Sequence, residues 1–262
     1  MEEPNSSEWQ APLPPEKIEA PEEAQMSEAA TLGSIFFEPG KTFQDLRRKP
    51  RFVLASLIIL IVLTAFNFLF IQKIGYEKIV RDRLEANSRV QQLPTDQKEQ
   101  IIQQQSGPVW KAIGYAAPPV VVLIIIFVGG LIYWLGGNAM GGDAKYLHGV
   151  SVWVYSWFPP FVISMILNTV VLFLKSADDI DVMTSQSGLI KANPSMFIDG
   201  KTQPVLNALL GSIDLFAIWG WILAAIGLRI VAKISSGAAW AIVLILALIG
   251  VALKVVSALF FG

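Results

Sequence analysis

The chain has 262 residues, 53% of them hydrophobic and 16% charged, with a formal net charge of −1 and a mean hydropathy of +0.53. Soluble domains carry roughly 25% charged residues, so this balance excludes a water-soluble domain and points to the bilayer, with no nucleic-acid partner expected. Cysteine is absent and His148 is the single histidine, which removes disulfides, a thiolate nucleophile and Cys-bound zinc or iron–sulfur clusters; no cofactor or metal is expected.

Residues 1–33 are rich in Glu, Pro, Ala and Ser, with Lys17 as their one cation. They lack the basic start and apolar middle of a signal peptide and are expected to be a disordered acidic tail. Next comes the densest cationic cluster of the chain, Lys41, Arg47, Arg48, Lys49 and Arg51, inside the segment 36–51. The pattern from Pro39 to Lys49 fits a short helix with Phe43 and Leu46 on one face and Lys41, Asp45, Arg48 and Lys49 around the other, ended by Pro50. Two readings stand side by side. The segment is a topology signal at the membrane–water interface, or it also lies in that interface with its apolar face down and its cations near anionic headgroups.

A bilayer core about 30 Å thick takes roughly 20 apolar residues per helix. Five such runs follow, at about 52–71, 118–137, 150–174, 209–230 and 238–261. The fold class is therefore an all-α integral membrane protein with five transmembrane helices. Core helices of soluble proteins are shorter and amphipathic, and barrel strands alternate every second residue. The second run opens with Pro118 and Pro119, where a missing N–H is harmless. Pro159 and Pro160 lie inside the third, where a kink is expected.

Between the first two runs, residues 76–90 and 94–107 read as two polar helices forming a small helical cap, which either recognises something or lies on the surface. The loop 136–149 is glycine-rich but lacks the Gly-Lys-Ser/Thr ending and the preceding strand of a phosphate cradle; its glycines are read as a tight turn. His148 is read as an interfacial or capping residue. The cationic cluster beside the first span places the N-terminus inside and, with five spans, the C-terminus outside. The later loops do not sharpen this, since the long outer loops 72–117 and 175–208 carry more cations than the short inner ones.

Polar residues within spans are costly and hence informative. Asn67, Asn168, Asp214 and Lys254 all fall in the outer half of the bundle when successive spans alternate direction. Asp214 and Lys254 are expected to pair. The set reads either as interhelical glue with Lys254 reaching for the interface, or as a polar cavity or ion route open to the outside.

The order "SIFFEPGKTFQDLRRKPRF", a first span, an outer helical segment, a Pro-led second span and "GGNAMGGDAKYLHGVSVWVYSWFPPFV" resembles the Yip1 domain family in its bacterial form, over about residues 34–260. The pieces that carry the likeness are Phe37-Glu38-Pro39 with Phe43 and Pro50, and the glycine-rich loop followed by Tyr155, Ser156 and Pro159. Eukaryotic members of that family are five-span Golgi and endoplasmic-reticulum proteins that associate with prenylated Rab-type GTPases. The acidic Asp-Leu-Tyr-Gly-Pro tract that precedes their first span is missing here, so Rab binding is not implied. No catalytic residues come with the resemblance.

The expectation is a non-enzymatic scaffold or adaptor, in the bacterial cytoplasmic membrane or the Golgi and endoplasmic reticulum of a eukaryote, that binds membrane proteins or anionic lipids in the bilayer. The alternative is a small transporter or channel built on the polar groups of the outer half. A membrane-embedded enzyme is disfavoured, because no nucleophile, base and orienting group converge.

Overall fold

The computed structural model describes residues 24–183, 185, 188–200 and 202–261. Most of the expected acidic tail lies outside the described residues. All regular elements among the described residues are helical. The chain enters a first helix, α1 (Glu28–Phe37), which takes in the last six residues of the expected tail, because the Ser27 side chain caps it by accepting from the Ala30 N–H at 3.1 Å. After Glu38 alone, Pro39 occupies the first turn of α2 (Pro39–Arg48), so α1 and α2 form a tight helical hairpin. Lys49 takes the extended conformation that a following proline imposes, and α2 stops where expected.

The hairpin is part of the bundle. Thr31, Ile35, Phe43 and Leu46 are all fully buried, and α2 packs on α10 (Leu215–Val231) and α8 (Tyr146–Leu174). Its apolar face thus meets protein, which corrects the picture of a segment lying face-down in the lipid interface. The Phe36 ring packs edge-on to Phe158 and Trp219, with centroids 6.0 and 6.2 Å apart.

Within this core the Thr31 and Tyr155 hydroxyls share a 2.9 Å hydrogen bond that ties α1 to α8. Thr31 also donates to the Glu28 carbonyl at 2.7 Å, so it retains a partner without Tyr155. Tyr155 is left with none when Thr31 is removed. Thr31→Val is therefore expected to lower stability by about 1–3 kcal/mol and Tyr155→Phe by about 1 kcal/mol, read as unfolding midpoints in one detergent. Equal losses would show that the hydroxyl pair does not hold the hairpin.

The spans follow. α3 (Val53–Ile74) ends at Gly75, whose φ of +88° lets the chain turn directly into the cap. The cap consists of α4 (Tyr76–Glu85), α5 (Ser88–Gln91) and α6 (Thr95–Gln105), with Arg81 bridging to Glu99 at 2.7 Å. Lys73 donates to the carbonyls of Leu172 and Lys175, closing the end of α8 with a cation where helix carbonyls are unpaired.

The second span, α7 (Pro108–Ala139), begins ten residues before the expected start, after Gly107, so that Pro118 and Pro119 lie inside the helix instead of opening it. An interior proline cannot donate to the carbonyl four residues back. For Pro118 that carbonyl is Gly114, and the Asn67 Nδ2 donates to it at 3.2 Å. The third span, α8, also starts earlier than expected and runs as one helix through Pro159 and Pro160.

The fourth apolar run is two helices, not one. α9 (Pro204–Leu210) and α10 meet at a 45° bend across residues 211–214. Asp214 caps α10, its Oδ1 accepting from the Phe216 and Ala217 N–H groups at 2.9 and 3.3 Å. The helix therefore starts after Asp214, which is a strong N-cap residue. α11 (Ser236–Phe261) completes the bundle: four long apolar helices, with the bent pair as a fifth span.

Candidate functional site

The two ends of the bundle differ. At one end, the α2 terminus, the turn between α7 and α8 and the turn between α10 and α11 lie together. Gly141, at φ +86°, makes the first turn, and the Asp143 N–H reaches the Ala232 carbonyl at 3.4 Å. Lys233 donates to Asp143 at 2.7 Å, bridging the two turns. That hydrogen bond, with the Lys233 and Arg47 charges, holds the Asp143 carboxyl below its ordinary value. The bridge is intact above the ordinary carboxylate range and is lost as pH falls through the depressed value; with both side chains at least half exposed it is worth under about 1 kcal/mol.

His148 joins the third element to this end. Its Nδ1 accepts from the Lys145 N–H at 3.2 Å and its Nε2 donates to the Arg47 carbonyl at 3.0 Å. The capping role expected from sequence is thus joined to a second one, as the clasp between the start of α8 and the end of α2. Lys41, Arg47, Lys49, Lys145, Arg229 and Lys233 are exposed around this end. Lys41 is paired with Glu38 at 2.6 Å and Arg48 is half-buried.

Arg51 departs from the other four cations of the expected interface cluster. Its guanidinium pairs with Asp45, with 9% and 2% of the two side chains exposed. Asp45 also accepts from the backbone N–H groups of Gln25 and Met26 at 2.5 and 3.1 Å, and Arg51 donates to the Met26 carbonyl at 2.6 Å. The pair is a lock that closes the entry to α1 over the start of α3. Sequence reasoning placed Asp45 on the outer face of α2; an acid and a base flanking Pro50 within six residues was the available signal.

Toward the opposite end, a cavity of about 960 Å³ opens beneath the segment that links α8 to α9. Asn168, Asp214 and Lys254 line it together with Trp157, Asn193 and Lys191. Three of the four intramembrane polar residues are therefore gathered at one place. Asn67 is not; it serves the proline-freed carbonyl of α7. Asn168 accepts from the Leu189 and Ile190 N–H groups at 2.5 and 3.0 Å, pinning the linking segment to α8.

The expected ion pair does not form: Asp214 and Lys254 face the same cavity, but the Asp214 carboxylate is engaged by its own helix and by Asn193 Nδ2 at 3.0 Å. A second, apolar groove of about 230 Å³ shares Trp157, Asp214 and Lys254 with the cavity and continues between α7, α8, α10 and α11 past Tyr133, Trp153 and Trp221. Asn193 and the aromatic groove were not legible as site residues, since nothing local in the sequence brings them to Lys254.

The family model of the Yip1 domain matches residues 33–258. The chain belongs to the Yip1 family. Its match takes in the α2 clasp, the Asp45–Arg51 lock and the residues of the cavity, so both ends described above lie within the Yip1 domain. Among curated relatives, the chain is similar to "Membrane protein YknW" of Bacillus subtilis (strain 168), at 27% identity over 238 residues, covering 90% of this chain and 91% of the relative. No solved structure matches this Yip1 protein significantly.

Proposed function

We propose that this Yip1-family membrane protein is a non-enzymatic adaptor whose cationic end recruits anionic partners, either acidic segments of other membrane proteins or anionic lipid headgroups. One observation carries the reading. Phe43 and Leu46 are fully buried in the bundle and His148 clasps the α2 terminus, so Lys41 and Arg47 are held outward on a rigid helix and Lys49 at its end. A fixed set of cations meets an anionic surface without the ordering cost that a flexible basic segment incurs. The same end faces the cytoplasm, since basic residues next to the first span are retained there.

The test is extraction in native lipid discs after brief in-cell crosslinking, followed by mass spectrometry of what co-purifies, for the wild type and for the Lys41→Gln, Arg47→Gln, Lys49→Gln triple variant. Arg51 is left in place because it locks the fold. A protein or anionic lipid enriched with the wild type and lost from the variant is expected; a partner set unchanged by the triple variant would overturn the reading. The transporter alternative has the cavity around Asp214 and Lys254 in its favour. Substrate flux into vesicles that disappears in Asp214→Asn would replace the adaptor reading with it.

A further inference from the structure

The cavity and the groove form one amphipathic space at the end of the bundle away from the cationic cluster. Lys254 lies seven residues before Phe261, the last residue of α11, hence about 10 Å from that helix end. The other α11 residues of the groove, Val243, Leu246, Ala247, Gly250 and Val251, come earlier in the helix and so lie deeper in the bilayer. The space is polar and charged near the surface and becomes apolar toward the membrane centre. A phospholipid of that leaflet has the same order and direction, headgroup outward and acyl chain inward.

The charges at the mouth are of both signs. Among the described residues no carboxylate bridges Lys254 or Lys191, Asp214 keeps acceptor capacity on Oδ2 beyond its bond to Asn193, and Asp181 and Asp199 line the same cavity. Lys254 is exposed and Lys191 and Asp214 are half-buried, so charges of both signs face one space within reach of lipid, where an ammonium or a carboxylate is costly unless a counter-group meets it. A group that carries an anion and a cation a few bonds apart meets both. The lining below it is aromatic and aliphatic, with Tyr133, Trp153, Trp157 and Trp221 as flat walls for a chain.

We infer that this space is a binding site for a zwitterionic aminophospholipid, with its phosphate at Lys254, its ammonium at Asp214 and one acyl chain in the aromatic groove. The site is separate from the cationic end and extends the adaptor reading by a second, opposite-leaflet ligand. It also gives Asn168 a consequence beyond packing: by pinning residues 189–190 it holds the roof of the headgroup cavity in place.

The test is native mass spectrometry of the full chain in a mild detergent, titrated with dioleoyl phosphatidylethanolamine, dioleoyl phosphatidylglycerol and free glycerophosphoethanolamine. The wild type is expected to retain the phosphatidylethanolamine at concentrations at least tenfold below those needed for the phosphatidylglycerol. Asp214→Asn, which keeps a good helix cap, and Lys254→Met, which keeps the aliphatic stem, should each weaken retention about tenfold. Lys254→Arg should restore it. Gly250→Phe fills the groove, since a side chain there starts in open space; it should abolish diacyl-lipid retention and leave the free headgroup unaffected. Equal retention of both lipids, a preference for phosphatidylglycerol, unchanged retention in Asp214→Asn and Lys254→Met, or a co-purifying peptide in place of lipid would each overturn the assignment.

Discussion

Arg51→Gln is expected to lower the stability of the solubilised protein by about 3–5 kcal/mol, since it leaves the Asp45 carboxylate buried and unpaired. Asp45→Asn should cost a similar amount, because the guanidinium is then the stranded charge. The double variant Asp45→Leu, Arg51→Met removes both charges together and should recover most of the loss, as matched apolar replacements of buried ion pairs generally do. The expected signature is therefore strong non-additivity, measured as denaturation midpoints of all four proteins in one detergent. Additive losses would mean that the two residues act separately, and a loss below about 1 kcal/mol in Arg51→Gln would place the guanidinium in water or at headgroups, as the sequence alone suggested.

The second large effect is expected at the seam between α7 and α8. A side chain at Gly149 would run into the Gly130 carbonyl and sit 2.9 Å from the Trp134 backbone nitrogen; one at Gly130 would meet the Val150 Cα at 2.7 Å. The obstacles are backbone, so only separation of the helices relieves them. In lipid, helix association depends on such close packing and not on expulsion of water. Gly149→Ala should cost about 3 kcal/mol, and Gly149→Leu should prevent folding. Gly33→Ala is the control: it lies inside α1 with nothing within 4 Å of the added carbon, and should be neutral or stabilising by up to about 1 kcal/mol. Equal behaviour of Gly149→Ala and Gly33→Ala, measured by thermal unfolding, would contradict this account of the seam.

Long apolar runs were legible because a bilayer leaves so few alternatives, and the end of α2 was legible from Pro50, whereas α3 continues three residues past the expected end at Ile71, to Ile74. The errors have local causes. Pro118 and Pro119 look like a helix start because proline is favoured there, yet in α7 Asn67 supplies the donor that Pro118 lacks, a contact across 47 residues that no window contains. The break before α10 was hidden because averaging hydropathy over 209–230 absorbs one aspartate; the short string Gly211-Ser212-Ile213-Asp214, with its turn residues and N-cap, was the local sign. Asp45 looked solvated because its neighbours Lys41, Arg48 and Lys49 are cationic, and its partner lies beyond the proline that ends its helix. The intramembrane polar residues were found individually, and three of them, Asn168, Asp214 and Lys254, line one cavity. Their expected pairing failed because a carboxylate at a helix start has two backbone donors in reach, whereas Lys254 lies on another helix.

Helix α2 is a fixed part of the bundle, with Phe43 inward and its cations outward. The chain has no native cysteine, so paired cysteines can be placed cleanly, and a side chain at Gly227 of α10 would start 2.8 Å from the Phe43 ring. The most direct measurement is crosslinking in native membranes with a short bis-methanethiosulfonate, each end of which forms a disulfide with one cysteine and releases methanesulfinate, comparing the Phe43→Cys, Gly227→Cys protein with the Gln44→Cys, Gly227→Cys protein. Efficient bridging of the first pair and little of the second is the predicted result; equal bridging of both, or of neither, would show that α2 is a separate surface helix and that its cations are not held in place.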